Sequence, residues 1–201
     1  MEFDQVVAAR RSNRKFKPDP LTDDQIFQIL EAARLAPSGS NVQPWRFVVV
    51  KSPEMREKLS VVSPFKFIFK APVVFVCCSD RRSIETRDKR IAELVEYSAF
   101  DDIDMEGDII ELTSGGTVSS TELRISMTMN VAIAIEHMAL KAADLGLGSC
   151  WIGGFDGRET KKILELEGDV FPTMLLPVGY PANNPKPRPR LTMEEILLKT
   201  V

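Results

Sequence analysis

The chain has 201 residues, 44% hydrophobic and 27% charged, with a net charge of −3 at pH 7. That is enough chain for one compact domain with a sizeable core. The mild negative balance argues against nucleic acid as a partner, because phosphate binding needs concentrated positive charge. No apolar run is long enough to span a bilayer, and the start Met1-Glu2-Phe3-Asp4-Gln5 lacks the basic and apolar regions of a signal peptide, so a cytoplasmic protein without a membrane partner is expected. The cysteines, Cys77, Cys78 and Cys150, are odd in number, and the first two would face opposite sides of a strand, which argues against a disulfide framework. With one histidine, His137, and no Cys-x-x-Cys pair, no metal site is expected.

In chain order, Phe3 to Arg11 reads as a short helix. After Pro18 and Pro20 comes a second, with Thr22 and Gln25 as a capping box, Ile26, Ile29, Leu30 and Ala33 at helical spacing, and Pro37 ending it. Trp45 to Val50 is a strand whose near-continuous apolar run predicts burial on both faces. Residues 53–60 look helical, and Val73 to Cys78 is a second buried strand. Residues 101–111 hold six acidic groups and no basic one, followed by Ser114-Gly115-Gly116. The stretch reads as an exposed excursion or lid, or else as an acidic loop remote from any site. Thr121 to Leu145 is a long helix, apolar on most sides, which places it centrally or at a subunit interface, and Gly146 ends it. A short strand at Cys150 to Ile152, a helix at Arg158 to Leu166 and a strand at Thr173 to Gly179 follow. Thr192 and Glu195 cap a last helix.

Four segments could carry chemistry. Arg10-Arg11-Ser12-Asn13-Arg14 sets three guanidiniums in five residues, which repel one another unless an anion sits among them or water solvates them. Ala36 to Trp45 crowds small hydrogen-bonding residues into a loop before a buried strand; it is an ordinary turn or a donor-rich binding loop. In Leu145 to Phe155 the pair Gly153-Gly154 lets backbone approach a flat ligand. Leu176 to Leu191 is proline-stiffened and carries Lys186, Arg188 and Arg190, either as a soluble basic tail or as charge pre-organised for an anion.

In this order and spacing, Arg-Arg-Ser-x-Arg, Pro-Ser-x-x-Asn-x-Gln-Pro-Trp, Leu-Gly-Leu-Gly-Ser-Cys-Trp-Ile-Gly and Val-Gly-Tyr-Pro with its basic tail resemble the nitroreductase family, over nearly the whole chain from Arg10 to Leu191. The resemblance implies an α+β fold, an α/β/α sandwich whose central, mostly antiparallel sheet is flanked by helices, in an intertwined homodimer with FMN at the interface. The chain would be one FMN-binding domain over 1–201, with a variable lid-like insertion at about 85–120. Arg10 and Ser12 match positions that hold the FMN phosphate and ribityl chain, with Arg11 beside them. Arg14 matches a cation at the pyrimidine edge of the ring, where reduction places negative charge. Pro37, Ser38, Ser40, Asn41 and Gln43 match a loop that reaches the flavin of the other subunit. Trp151, Ile152, Gly153 and Gly154 match the run along the ring, with the Gly153 N–H near flavin N5. Arg188 and Arg190 match a C-terminal phosphate clamp. Pro64-Phe65-Lys66-Phe67 does not align with the polar residue and lysine that many relatives carry before the second strand.

The implied activity is electron transfer from NADH or NADPH to a small electron-poor acceptor of nitroaromatic or quinone type, by a ping-pong mechanism. The chemistry would lie at flavin N5, assisted by Arg14 and the Gly153 backbone, with no certain catalytic acid, base or nucleophile in the protein. Cys150 reads as a small buried residue and His137 as a helix surface or interface residue. A dehalogenase, a dehydrogenase, a flavin-consuming enzyme of the same fold, or a flavin-binding protein without turnover remain open alternatives.

Overall fold

The computed structural model describes residues 1–99 and 119–201. Four antiparallel strands form one sheet among these residues: β1 (Trp45–Val50), β2 (Val73–Asp80), β3 (Gly148–Ser149) and β4 (Val170–Gly179), in the spatial order β1-β2-β4-β3. The helices are α1 (Phe3–Ala9), α2 (Asp23–Arg34), α3 (Pro53–Lys58), α4 (Arg87–Glu96), α5 (Ser120–Asp144), α6 (Gly157–Ile163) and α7 (Met193–Ile196). No helix among the described residues is long and apolar enough to cross a membrane.

The period of two along β2 builds the layers. Val73, Phe75 and Cys77 face one core with α2 and α5, including Ile29, Ile135, Met138 and Leu176. Val74, Val76 and Cys78 face the other, where Leu59, Ile68, Leu175 and Ile163 pack. The result is helix on sheet on helix, the expected α+β sandwich. A bulge between Cys77 and Cys78 shifts the β2–β4 register. The Thr22–Gln25 and Thr192–Glu195 capping boxes form as expected, and Ser119–Glu122 forms another at the start of α5.

Several boundaries move. Helix α1 ends at Ala9, because Arg10 already has an extended ψ of 126°. Strand β1 is not buried on both faces: it lies at the sheet edge, Arg46 is exposed, and Phe47, Val48 and Val49 are half-buried. The short strand falls at Gly148–Ser149 and not at Cys150 to Ile152, because β4 offers Gly179 and Val178 as partners there; Ile152 makes only an isolated bridge to Leu175. The helix expected at Arg158 to Leu166 spans Gly157–Ile163, and the strand expected at Thr173 to Gly179 begins at Val170. Part of the segment expected as a variable insertion is regular, since α4 occupies Arg87–Glu96 and packs on Gly39–Asn41. The acidic run 101–111 and Ser114-Gly115-Gly116 lie outside the described residues.

Candidate functional site

Backbone pairing joins the arginine cluster to the glycine-rich turn. The Asn13 N–H donates to the Ser149 carbonyl at 2.8 Å, and Ser12 and Ser149 form a parallel bridge. A few residues on, Lys17 N–H donates to the Tyr180 carbonyl at 2.8 Å and Ala182 N–H to the Lys15 carbonyl at 3.0 Å. The root of the proline-rich tail therefore leaves the sheet beside Arg14. Arg188 and Arg190 lie beyond it on exposed chain, and neither makes an ion pair among the described residues.

The charges in this corner are mostly uncompensated. Arg10 approaches Glu136 of α5 at 3.7 Å. Arg11 donates to the carbonyls of Ala8 and Arg10. Arg14 is exposed and has no ion pair among the described residues. Burial pushes the Glu136 carboxyl up, opposed by Arg10; Trp151 lies close enough to lower it as well, although its Nε1 makes no well-formed hydrogen bond. Burial also pushes the Cys150 thiol up, against the pull of nearby Arg14. Cys150 is thus a buried thiol, and His137 sits on α5 with Nδ1 2.9 Å from the Ile133 carbonyl.

Two buried polar atoms here, Trp151 Nε1 and Asn13 Oδ1, have no partner among the described residues. Such atoms cost roughly 1–3 kcal/mol each unless something satisfies them. Beside them Gly153 and Gly154 are exposed and leave backbone open to a flat ligand. Gly153 also lines an open cavity of about 880 Å³ with Ile125, Met129, Phe155, Phe171 and Lys161. Basic groups for a phosphate, orphaned polar atoms and a side-chain-free wall are a donor set that fits FMN. Arg10, Ser12 and Arg14 would hold it, with Trp151 to Gly154 along the ring.

The Pro37–Gln43 loop sits elsewhere. Ser40, Asn41 and Gln43 adopt left-handed φ values of 48°, 51° and 46°. Ser38 Oγ accepts the Gln43 N–H at 2.9 Å, and Gln43 Nε2 donates to Asn41 Oδ1 at 3.0 Å. The Gly39 N–H donates to Asn130 Oδ1 of α5 at 3.0 Å. Asn130 and Glu136 are six residues apart, which puts them about 120° apart around the helix and about 9 Å apart along it. The loop and the arginine cluster therefore reach α5 on different faces.

Sequence reasoning missed Asn13, Glu136, Asn130 and the Ser63–Phe65 turn, which lies against Gly154. Asn13 lies inside the arginine motif, Phe65 lies in the stretch that does not align with relatives, and Asn130 stands out as an amide in the middle of an apolar helix.

The sequence profile of the nitroreductase family matches residues 7–63 and 116–180. The match spans the arginine cluster, the Pro37 loop and the Trp151–Gly154 run, and it leaves out 64–115, where α4 and the acidic run lie. An NADH dehydrogenase of Thermus thermophilus is 30% identical over 191 residues, covering 94% of this chain and 91% of that one. The FMN reductase (NADPH) of Bacillus subtilis is 27% identical over 199 residues, covering 96% and 71%. A protein of Exiguobacterium sibiricum described as a nitroreductase, solved in complex with FMN, superposes with a TM-score of 0.83 at 25% identity, covering 100% of this chain and 98% of that one.

Proposed function

Because the chain belongs to the nitroreductase family, we propose that it is an FMN-dependent NAD(P)H oxidoreductase whose acceptor is a small, electron-poor organic molecule of nitroaromatic or quinone type. The observation that carries this reading is the pairing of Asn13 with Ser149, which sets an under-compensated arginine cluster beside an open Gly153-Gly154 wall. When bound, FMN would supply the two-electron chemistry that links the nicotinamide to the acceptor.

The residues divide the remaining work. Arg10 and Ser12 bind the phosphate and ribityl end, and Arg188 and Arg190 close on the phosphate from the tail. Arg14 would place a cation where negative charge develops on reduction. The Gly153 N–H would serve as a neutral donor to the ring. The open cavity beside Gly153, walled in part by Ile125, Met129, Phe155 and Phe171, offers apolar surface to a flat molecule.

The functional unit in this reading is a homodimer. Phe3 and Val7 on α1 and Ile125, Met129 and Ile133 on α5 are exposed on adjoining helices. Exposed large apolar side chains gathered on two helices mark a candidate interaction surface. In the family arrangement that the sequence resembles, the Pro37–Gln43 loop of one copy meets the arginine cluster of the other. The test is the absorption spectrum of the purified protein, then anaerobic titration with NADH and NADPH. Yellow protein with about one FMN per chain, bleached by either nicotinamide, is expected. Failure to bind added FMN would overturn the assignment, and bleaching without reoxidation by nitroaromatics or quinones would overturn the acceptor class.

A further inference from the structure

Ser63 belongs to none of the four motifs, yet it is 3% exposed and its hydroxyl donates to the Gly154 carbonyl oxygen at 2.8 Å. The same hydroxyl oxygen accepts the Phe65 backbone N–H at 3.3 Å. A hydroxyl has one proton, so its donation is committed to Gly154 while its lone pair shapes its own turn. Next to it, the Val62 carbonyl accepts the Asp156 N–H at 2.8 Å. The Phe65 ring flanks the glycine on its Cβ side: a Cβ on Gly154 would lie 3.0 Å from Phe65 Cε2. Lys66 Nζ donates to the Ser60 carbonyl at 2.6 Å and fixes the turn from the outside.

On the other side of the glycine pair, Ile152 is held by two 3.0 Å backbone bonds with Leu175. Gly153 and Gly154 thus hang between two anchors, the sheet at Ile152 and the Ser63 turn at Gly154. The Gly153 N–H shares a peptide plane with the Ile152 carbonyl and is fixed by the sheet, whereas the Gly154 N–H lies one glycine further on, where the backbone turns freely, so its orientation must come from elsewhere. Within the strap from Val62 to Phe65, only Ser63 reaches the Gly154 carbonyl with a side-chain donor.

We propose that Ser63 is a positioning residue that, through the Gly154 carbonyl and the Phe155 N–H of the same peptide plane, which donates to the Gly153 carbonyl at 3.2 Å, sets the orientation of the Gly154 N–H toward bound FMN. The proposal rests on the assignment of Gly153-Gly154 to the flavin ring. Loss of the hydroxyl leaves the Gly154 carbonyl without its donor and lets the glycine pair sample other orientations.

The test compares wild type, Ser63→Ala and Ser63→Thr in the full chain, with Ser63→Cys as a variant that keeps the volume but is only a weak donor. Without flavin, amide hydrogen exchange is followed over residues 152–156. Faster exchange is expected in the Ala and Cys variants, on the order of fivefold for one lost hydrogen bond, with wild-type exchange in Ser63→Thr. With FMN bound, the visible spectrum and midpoint potential should shift in the Ala and Cys variants at unchanged FMN stoichiometry, and return with Thr. Unchanged exchange in both Ala and Cys overturns the proposal. So does faster exchange with an unshifted spectrum and potential, which makes Ser63 structural only. A wild type that binds no FMN removes the flavin assignment itself, a result separate from the exchange arm.

Discussion

The Asn13 side chain fills the space above Gly148: a Cβ added to that glycine would stand 2.7 Å from Asn13 Cγ. Asn13 is buried, and its main chain pairs with Ser149, so the absence of a side chain at 148 is what lets the arginine segment lie against the glycine turn. Gly148→Ala should push Asn13 outward and carry Arg10, Ser12 and Arg14 with it. The expected cost is about 1–3 kcal/mol of overpacking, together with weaker FMN retention. Thermal melts and FMN titration read the two effects, and wild-type values for both would mean that the contact relaxes freely.

Arg14→Ala should leave the fold intact to within about 0.5 kcal/mol, because the side chain is exposed and unpaired among the described residues. Removal of a cation facing developing negative charge should slow flavin reduction on the order of tenfold to a hundredfold. It should also lower the flavin potential. Anaerobic stopped-flow with NADH or NADPH and a dye-linked potential measurement check this, and an unchanged potential would place Arg14 away from the ring.

Met129→Glu puts a charge in the exposed row Ile125, Met129 and Ile133. The variant should keep wild-type helical content but sediment as a monomer, since a desolvated charge at an apolar interface costs several kcal/mol. Because one chain would then lack the second copy's Pro37–Gln43 loop, FMN affinity should fall in parallel. A variant that stays dimeric at micromolar concentration would move the interface to another face.

Asp80 is 3% exposed and bonds the Arg82 guanidinium through both oxygens, at 2.9 and 3.0 Å, with Arg46 at 3.3 Å. The Arg82 hydrogen bonds, opposed by burial, hold its carboxyl below the usual carboxylate range. A depressed folded value means stabilisation that is complete above about pH 4, the unfolded value, and lost as pH falls through the folded one. Asp80→Asn should cost about 1.5–3 kcal/mol at pH 7, with the Coulomb part discounted because both arginines are about half exposed. Urea unfolding at pH 7 and near pH 3 should show the gap between wild type and variant narrowing in acid.

Local chemistry was legible where it decides structure locally. Thr22 and Gln25 announce a helix start because each satisfies the other's backbone N–H. Val73 to Cys78 announces a central strand because both its faces are apolar. What stayed hidden depends on partners far along the chain. Cys150-Trp151-Ile152 looks more strand-like than Gly148-Ser149, but the ladder follows where β4 presents its edge, and pairing overrides propensity. Helix α4 went unread because the acidic stretch beyond it dominated the reading of 85–120. The site motifs were readable as strings, whereas their assembly was not: nothing in the sequence ties Asn13 to Ser149, Arg10 to Glu136 or Ser63 to Gly154. Those contacts are set by how the layers stack.

Three non-glycine residues of the Pro37–Gln43 loop hold left-handed backbone, and each such residue costs on the order of 1 kcal/mol. Glycine at 40 or 43 would relieve that cost in the folded state while loosening the unfolded chain. It would also erase the side chains that lock the turn, Gln43 on Asn41 among them. A search for heat-resistant variants would then meet opposing pressures at these positions. A gain in melting temperature here comes with a loop that has more than one resting shape, and a loop of that kind offers a ligand a blurred edge.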